Sequence, residues 1–287
     1  MFRIFIGTAV FLSVAFAQPR NEAMRATFEK MRQQAATSTK GPNSAKAAAP
    51  RVAPNDSLVG INLWRMRLAE ASAPVKIRGF KQREDPTGAR DWTPERLTMD
   101  QTIPEGDEIR IGVESLREGY LYLINRDVYA DGTRSEPTLI VPTARIRGGN
   151  NLVKPGHPFE FPSIEDKPPT FSVERTRPDQ TGILLTMILS PKPLAEITMR
   201  RDEQKLTEQQ VSRWEKLWGT QVENTEDKSM LGKLYTMAEK TAASDPSKPL
   251  TGKDPVPVAL FHRAGHSGEP IAATALVKVG PPRAPKE

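Results

Sequence analysis

Short apolar segments of β-strand type recur along the chain between residues 58 and 194, and over 61–66 apolar and polar residues loosely alternate. In the segment 119–125, Tyr120 and Tyr122 point to one face, and leucines at the neighbouring positions point to the other. Because both faces are apolar, this strand is predicted to be central and covered twice, with the tyrosines in the core. An exposed aromatic platform for sugar binding is the alternative. Other β-type segments are 58–68, 108–114, 138–141, 158–161, 170–174 and 183–189.

Turn-forming residues separate these segments, for example Asp131-Gly132 and the glycine pair at 148–149. The 26 prolines also fall between the predicted strands. Short strands with turns about every 8–12 residues indicate a sandwich or barrel. We therefore predict a mainly β fold, an antiparallel β-sandwich (Ig-like or related) over residues 57–200, with two short C-terminal helices packed on it.

The periodicity becomes helical after Leu206. Thr207 and Gln210 form a capping-box signature, which predicts a helix that starts there and ends at Gly219. The residues of its apolar face are Val211, Trp214, Leu217 and Trp218. We expect Trp214 and Trp218 to pack on the sheet, because so short a helix depends on docking. The alternative is an exposed aromatic patch that binds a partner.

A second helix is predicted to start near Thr225. Its apolar stripe would contain Leu231, Leu234, Tyr235 and Ala238. The two helices together form a predicted helical segment over 201–245. Two further β-type segments, 257–263 and 271–279, predict a terminal β-hairpin within 246–280 that rejoins the sheet. Residues 281–287 are predicted to be a disordered tail.

The first 17 residues have the organisation of a signal peptide. A basic start at Arg3 precedes an apolar run over 4–14, and small residues at Ala15 and Ala17 mark a cleavage site before Gln18. The run is shorter than the roughly 20 residues that span a bilayer. We predict an exported chain, periplasmic or extracellular, without a stable transmembrane span after cleavage.

Residues 18–56 are rich in Ala, Gln, Lys, Ser, Thr and Pro. The spacing of Met24, Phe28 and Met31 allows a short helix over 21–34, but the remainder lacks apolar periodicity. The segment is therefore predicted to be a flexible basic linker that the rest of the chain does not need in order to fold.

The net charge of +6 suggests nucleic acid at first sight. However, residues 18–56 hold seven basic and three acidic side chains, whereas 57–287 hold 33 basic and 32 acidic ones. A nucleic-acid-binding domain clusters its basic residues on a folded face, so no nucleic-acid partner is expected. The chain has no cysteine, which excludes disulfides, thiolate catalysis and cysteine-based zinc sites.

The histidines do not form a zinc motif. His262 and His266 have the four-residue spacing of helical metal ligands, but the stretch between them predicts a turn, and His157 is remote in sequence. No metal and no cofactor are therefore expected.

A candidate polar loop contains Asp127, Asp131 and Asn150. Asp127 and Asp131 faintly resemble a calcium loop but lack the further oxygen ligands and the closing glutamate. A turn at Asp131-Gly132 is the preferred interpretation. The glycines before Asn150 lack the following Lys-Ser/Thr of a phosphate-binding loop and are also read as a turn.

Residues 59–194 contain a series of short motifs in a fixed order. They are Leu63-Trp64-Arg65-Met66-Arg67, Gly106-Asp107, the segment 109–114, Gly119-Tyr120-Leu121-Tyr122-Leu123-Ile124-Asn125, Asp131-Gly132, the segment 139–143, Gly148-Gly149-Asn150, Pro155-Gly156 and Ser190-Pro191-Lys192-Pro193-Leu194.

In combination these motifs resemble the domain of unknown function 4384 family, found mainly in exported or multidomain bacterial proteins. One departure is Val141, which stands where phenylalanine is more usual. The layout, including the helix at Trp214, looks like the stand-alone secreted members. The resemblance implies a β-rich accessory or interaction module with no known activity.

Two hypotheses about function follow. The first is an exported, non-enzymatic interaction module whose partner is a protein or glycan of the cell envelope. The second is a hydrolase that acts on an envelope or extracellular polymer through carboxylates such as Asp127, Asp131 or Glu160. General acid–base chemistry needs two carboxyl groups that converge on one cleft, and sequence spacing does not show such convergence.

Overall fold

Two β-sheets pack face to face across an apolar core. The structure, a computed structural model, describes residues 17–38, 56–68, 92–266 and 268–284. Its strands are β1 (Ser57–Leu68), β2 (Trp92–Leu97), β3 (Thr102–Pro104), β4 (Glu108–Ser115), β5 (Gly119–Tyr129), β6 (Thr138–Val141), β7 (Leu152–Val153), β8 (Phe159–Phe161), β9 (Phe171–Ser172), β10 (Gln180–Ser190), β11 (Gln204–Lys205), β12 (Glu223–Glu226), β13 (Ala259–Arg263) and β14 (Ile271–Gly280). The helices are α1 (Ala17–Ser38), α2 (Glu208–Trp218) and α3 (Met237–Ser244). The predicted mainly β sandwich with few helices is confirmed.

Each sheet contains seven of the described strands. Sheet I has the order β12-β13-β1-β4-β8, with β2 also paired to β1 and β9 to β4. Sheet II has the order β11-β6-β5-β10-β14-β3, with β7 also paired to β5. The strand β1 organises sheet I, because β4 lies along one of its edges while β13 and then β2 follow the other.

Alternation along the strands places one apolar face of each sheet in the core between them. Ile61 and Leu63 of β1 point into this core, as do Leu121 and Leu123 of β5. Strand β5 lies between β6 and β10, and its Tyr122 is buried on the opposite face, beneath α2. The prediction of a central strand covered on both sides is confirmed.

Helix α2 forms where the sequence places it. Thr207 accepts a hydrogen bond from the Gln210 backbone N–H at 3.2 Å, and Gly219 is the C-cap. Val211 and Trp214 are buried against sheet II, which confirms the docking of this helix.

The second predicted helix is wrong in position. The stretch 223–226 forms β12, because its backbone pairs with β13, and α3 starts only after Thr236. The pairing of an edge strand overrides the weak helix-start signal of two acidic residues.

The predicted terminal hairpin is also wrong. Strand β13 joins β1 in sheet I, whereas β14 joins β10 in sheet II, so the chain crosses between the sheets after β13. A period-two pattern shows which face of a strand is buried, but it does not show which sheet the strand joins. In the tail predicted to be disordered, Arg283 pairs with Asp107 at 2.8 Å, and residues 285–287 lie outside the described part.

The predicted flexible linker is wrong for its first half. Helix α1 is longer than 21–34 and buries Met24 and Phe28 against Leu58 and Leu260 of sheet I. The helical spacing of these apolar residues outweighs the polar composition around them. The expected cleavage site at Ala17 and Gln18 lies at the start of α1, and residues 1–16 and 39–55 lie outside the described residues. No helix in the described ranges is both long and apolar enough to span a membrane.

Candidate functional site

The outer face of sheet I has buried polar and charged side chains. Since Ile61, Leu63 and Ile111 face the core, the alternate residues of β1 and β4 face outward. We call the buried polar set on this face the ionic layer. It consists of Arg32, Asn62, Arg96, Arg110, Glu114, Glu160 and Glu239, together with the half-buried Tyr235. Three guanidinium groups and three carboxyl groups balance within it.

Arg96 and Glu239 join strand β2 to helix α3. One Arg96 nitrogen, Nη1, donates to Asn62 Oδ1 at 2.7 Å, and the other, Nη2, donates to Glu239 Oε1. The guanidinium lies over the Trp64 ring, 4.4 Å from its centroid. The second Glu239 oxygen accepts from the backbone N–H and the hydroxyl of Thr236 at 2.9 and 2.8 Å. This capping box ties the start of α3 to the sheet.

Glu160 on β8 is held by Tyr235 and Arg110. The Tyr235 hydroxyl donates to Glu160 Oε1, and the Arg110 Nη1 lies 3.6 Å from Oε2. The Tyr235 ring packs edge-on against Trp64 with centroids 4.9 Å apart. Burial raises the pKa of Glu160, although Tyr235 and Arg110 oppose the shift. Burial, followed by the nearby charge of Glu160, raises the pKa of Tyr235.

Arg32 brings α1 into the same layer. Its Nη2 donates to Glu114 Oε2 at 2.6 Å, and both side chains are fully enclosed. Its Nη1 donates to the backbone carbonyls of Asp254 and Pro255 at 3.0 and 3.1 Å. Burial raises the pKa of Glu114, and the charge of Arg32 opposes this. One arginine therefore fixes both α1 and the chain that precedes β13.

The chain that covers the ionic layer presents apolar side chains to solvent. We call residues 231–240 the presented segment. Its backbone follows β2, with Arg96 N–H donating to the Lys233 carbonyl and Gly232 N–H donating to the Arg96 carbonyl, both at 3.0 Å. The exposed fractions of Leu231, Leu234 and Met237 are 44%, 58% and 74%.

The carboxyl groups of the ionic layer form ion pairs with arginines of the same layer. Glu114, Glu160 and Glu239 each have an arginine within ion-pair distance. These ion pairs link α1 to β4, β2 to α3 and β4 to β8, although the buried atoms Arg32 Nε, Arg96 Nε and Glu114 Oε1 have no hydrogen-bond partner. Through Tyr235 and Glu239, the layer ties the presented segment to the sheet.

The predicted aromatic residues belong to the other face of the sandwich. Tyr120 and Tyr122 lie under α2 with Trp214 and Trp218. Trp214 stacks on Trp218 at a centroid distance of 6.0 Å, and its indole N–H donates to Glu196 at 3.0 Å. The Tyr122 hydroxyl accepts from the Leu194 N–H at 2.8 Å. These residues form a packed cluster.

The structure does not bring the predicted polar loop together. Asp127 is buried and accepts hydrogen bonds from Thr176 and Gln180 at 2.8 and 3.1 Å. Asp131 is exposed and accepts from Thr133, whose hydroxyl and backbone N–H lower its pKa. The side chain of Asn150 instead accepts from the Leu152 N–H at 3.0 Å.

The histidines have separate partners. His157 Nδ1 contacts the Ala242 carbonyl at 2.9 Å, His262 pairs with Asp56 at 3.1 Å, and His266 pairs with Glu269 at 3.0 Å. In the described ranges, no group of three or more His, Asp or Glu side chains is arranged to hold a metal ion.

Of the three carboxylates suggested for a hydrolase, only Glu160 lies in the ionic layer. Asp127 bonds to Thr176 and Gln180, and Asp131 bonds to Thr133. A surface cleft of about 50 Å³ lies elsewhere, next to Ser57 and Glu269. Asp127, Asp131 and Glu160 do not line it.

Sequence reasoning missed most of the ionic layer. One usable signal was present, because Thr236 and Glu239 form an S/T-x-x-E capping box that marks the true start of α3. No local signal pairs Arg32 with Glu114, since 82 residues separate them.

Comparison of the chain with protein-family models, with curated proteins and with solved structures gives no match. The resemblance to the domain of unknown function 4384 family therefore stays a prediction from the residues.

Proposed function

We propose that this protein is an exported, non-enzymatic accessory module that binds a component of the cell envelope or extracellular space through its presented segment. The observation that carries the proposal is the exposure of Leu231, Leu234 and Met237 on a segment whose backbone is hydrogen-bonded to strand β2. These three side chains lie within seven consecutive residues, and contiguous exposed apolar surface is characteristic of interaction sites.

The anchoring beneath the segment favours a binding role. Tyr235 and Glu239 alternate with the exposed residues and reach down into the ionic layer. The segment is therefore already ordered, and binding would cost little additional conformational entropy. A preorganised apolar surface is what a recognition module requires.

The signal-peptide organisation of residues 1–17 supports export, and the resemblance of residues 59–194 supports an accessory role. A protein or glycan of the envelope is the partner class expected from the sequence. The hydrolase hypothesis has less support, because Asp127, Asp131 and Glu160 have separate hydrogen-bond partners.

Site-specific photo-crosslinking in the producing cells tests the proposal. A photoreactive residue would replace Leu234 in one variant and Met237 in another. The matched control replaces Ile164, which is 69% exposed and lies outside the presented segment. We expect discrete adducts from positions 234 and 237 and none from 164. Equal adducts from all three positions, or none from any, would contradict the proposal.

A further inference from the structure

The presented segment carries positive charge beside its apolar side chains. Lys233 and Lys240 are both exposed. The Nζ of Lys233 lies 3.6 Å from the Met230 sulfur, and in the described part of the chain neither lysine pairs with a carboxylate.

Most of the other charges around the segment have a partner of opposite charge. Lys228 pairs with Asp100 at 2.6 Å, and Arg67 pairs with Glu95 at 2.5 Å. Glu239, the acidic residue within the segment, is buried against Arg96. Asp227, which lies near Lys233, is paired with Arg25, and Glu226 lies near the Lys228–Asp100 pair, so the two lysines leave this surface with a local excess of one positive charge.

Leu234, Met237 and Lys240 lie on the outer side of the segment. Tyr235 points inward to Trp64, so Leu234, its neighbour on an extended stretch, points outward. On α3, Glu239 and Ala242 are buried, whereas Met237 and Lys240 are three residues apart and lie on an exposed side.

We propose that the presented segment binds an anionic lipid surface, with the Leu231, Leu234 and Met237 side chains inserted among the headgroups and Lys233 and Lys240 against the lipid phosphates. This inference rests on the proposed binding role of the segment and names its partner class. Apolar residues combined with lysines are characteristic of peripheral membrane contacts.

Two other occupants fit this surface less well. The centres of protein–protein interfaces are depleted of lysine, whereas here Lys233 and Lys240 lie among the apolar residues. A second copy of the chain would bring the same lysines together across a two-fold axis, and like charges repel.

The test is flotation of the exported protein, purified without residues 1–17, with lipid vesicles. Those residues are removed because the apolar run over 4–14 would bind lipid by itself. The vesicles contain either phosphatidylcholine alone or equal parts of phosphatidylcholine and phosphatidylglycerol. We expect the protein to float with the anionic vesicles, to bind the neutral ones weakly, and to dissociate as the salt concentration rises.

Paired variants separate the two contributions. Lys233→Gln with Lys240→Gln should weaken binding to anionic vesicles roughly thirtyfold, since each lysine near such a surface contributes severalfold to affinity. Leu234→Ser with Met237→Ser should abolish binding even at low salt. The matched controls, Ile164→Ser and Lys192→Gln, alter exposed residues elsewhere and should bind like the parent. Unchanged melting temperatures show that all variants fold.

The failures of the two proposals are distinguishable. The lipid inference is overturned if the parent protein does not bind anionic vesicles. It is also overturned if the control variants lose as much binding as the variants of the presented segment. A protein or self adduct from the crosslinker at position 234, without vesicle binding, would overturn it while leaving the binding role intact. Absence of both adducts and vesicle binding would overturn both proposals.

Discussion

The two outer faces of the sandwich are covered in different ways. On sheet II, helix α2 packs Val211 and Trp214 onto Tyr122 and Ile188, and beside this apolar contact the buried Arg126 lies within ion-pair distance of Glu208 and Glu215 of the helix. On sheet I, α1 and the chain around α3 are held largely by the ionic layer, although α1 adds an apolar contact through Phe28.

The comparison suggests that apolar burial mainly stabilises the fold, whereas buried ion pairs mainly set the position of the elements they join. Apolar burial is non-directional and scales with area, so α2 gains free energy from any good fit. A buried ion pair gains little net free energy but costs several kcal/mol when one partner is removed. The ionic face therefore defines where the covering chain lies, and with it the position of the presented segment.

The largest expected effect comes from removing α1. A chain that starts at residue 56 instead of 18 loses the buried side chains of Phe28 and Arg32, and leaves Glu114 without its partner. We expect the free energy of unfolding to fall by more than about 5 kcal/mol. Urea denaturation of both chains measures the change, and Phe28→Ala should reproduce only part of it. A loss below 1 kcal/mol, on the order of a surface substitution, would restore the linker hypothesis.

The substitution Trp214→Ala tests the packing of α2 on sheet II. Removal of this buried ring from beneath α2 should cost about 3–5 kcal/mol, independent of salt. Leu217→Ala on the same helix is the matched control, because Leu217 is 55% exposed and should change stability by less than about 0.5 kcal/mol. Equal effects of the two substitutions in thermal melts would show that α2 is not docked.

A smaller effect on stability, dependent on pH, is expected from Glu160 in the ionic layer. Burial raises the pKa of Glu160 above its ordinary value of 4.5, so the folded state binds the proton more strongly than the unfolded state does. Its stabilising contribution is complete below pH 4.5 and is lost as the pH rises through the folded-state pKa.

The parent should therefore lose stability relative to Glu160→Gln as the pH rises, and denaturant titrations at several pH values measure this. Leu217→Ala removes no titrating group and should keep the pH dependence of the parent. A parent that gains stability over Glu160→Gln with rising pH would show that Arg110 outweighs burial.

The smallest effect is expected outside both faces. Arg145 and Asp202 form an ion pair whose side chains are 68% and 59% exposed. Arg145→Ala should change the free energy of unfolding by less than about 0.5 kcal/mol, because solvent screens such pairs. If Arg145→Ala lowered the free energy of unfolding as much as Trp214→Ala does, this ion pair would not be a solvent-screened surface contact.

The apolar face was predictable and the ionic face was not. Val211 and Trp214 are three residues apart on one helix, and Thr207 marks its start, so the pattern is local. Met24 and Phe28 carry the same signal, but the polar composition of 18–56 led to the linker interpretation. Arg32 and Glu114 are individually typical of surface residues, and only their meeting makes them buried.

The sequence by itself determined the mainly β class, the position of most strands, the centrality of β5 and the docking of α2. Each follows from a short-range period or cap, because neighbouring residues alone set which side of an element is apolar. Only the tertiary structure decided that β13 and β14 join different sheets, that 223–226 is a strand, and that the ionic layer exists. Those outcomes depend on backbone pairing and charge pairing between residues far apart in the chain, where the free energy of contact has no local signature.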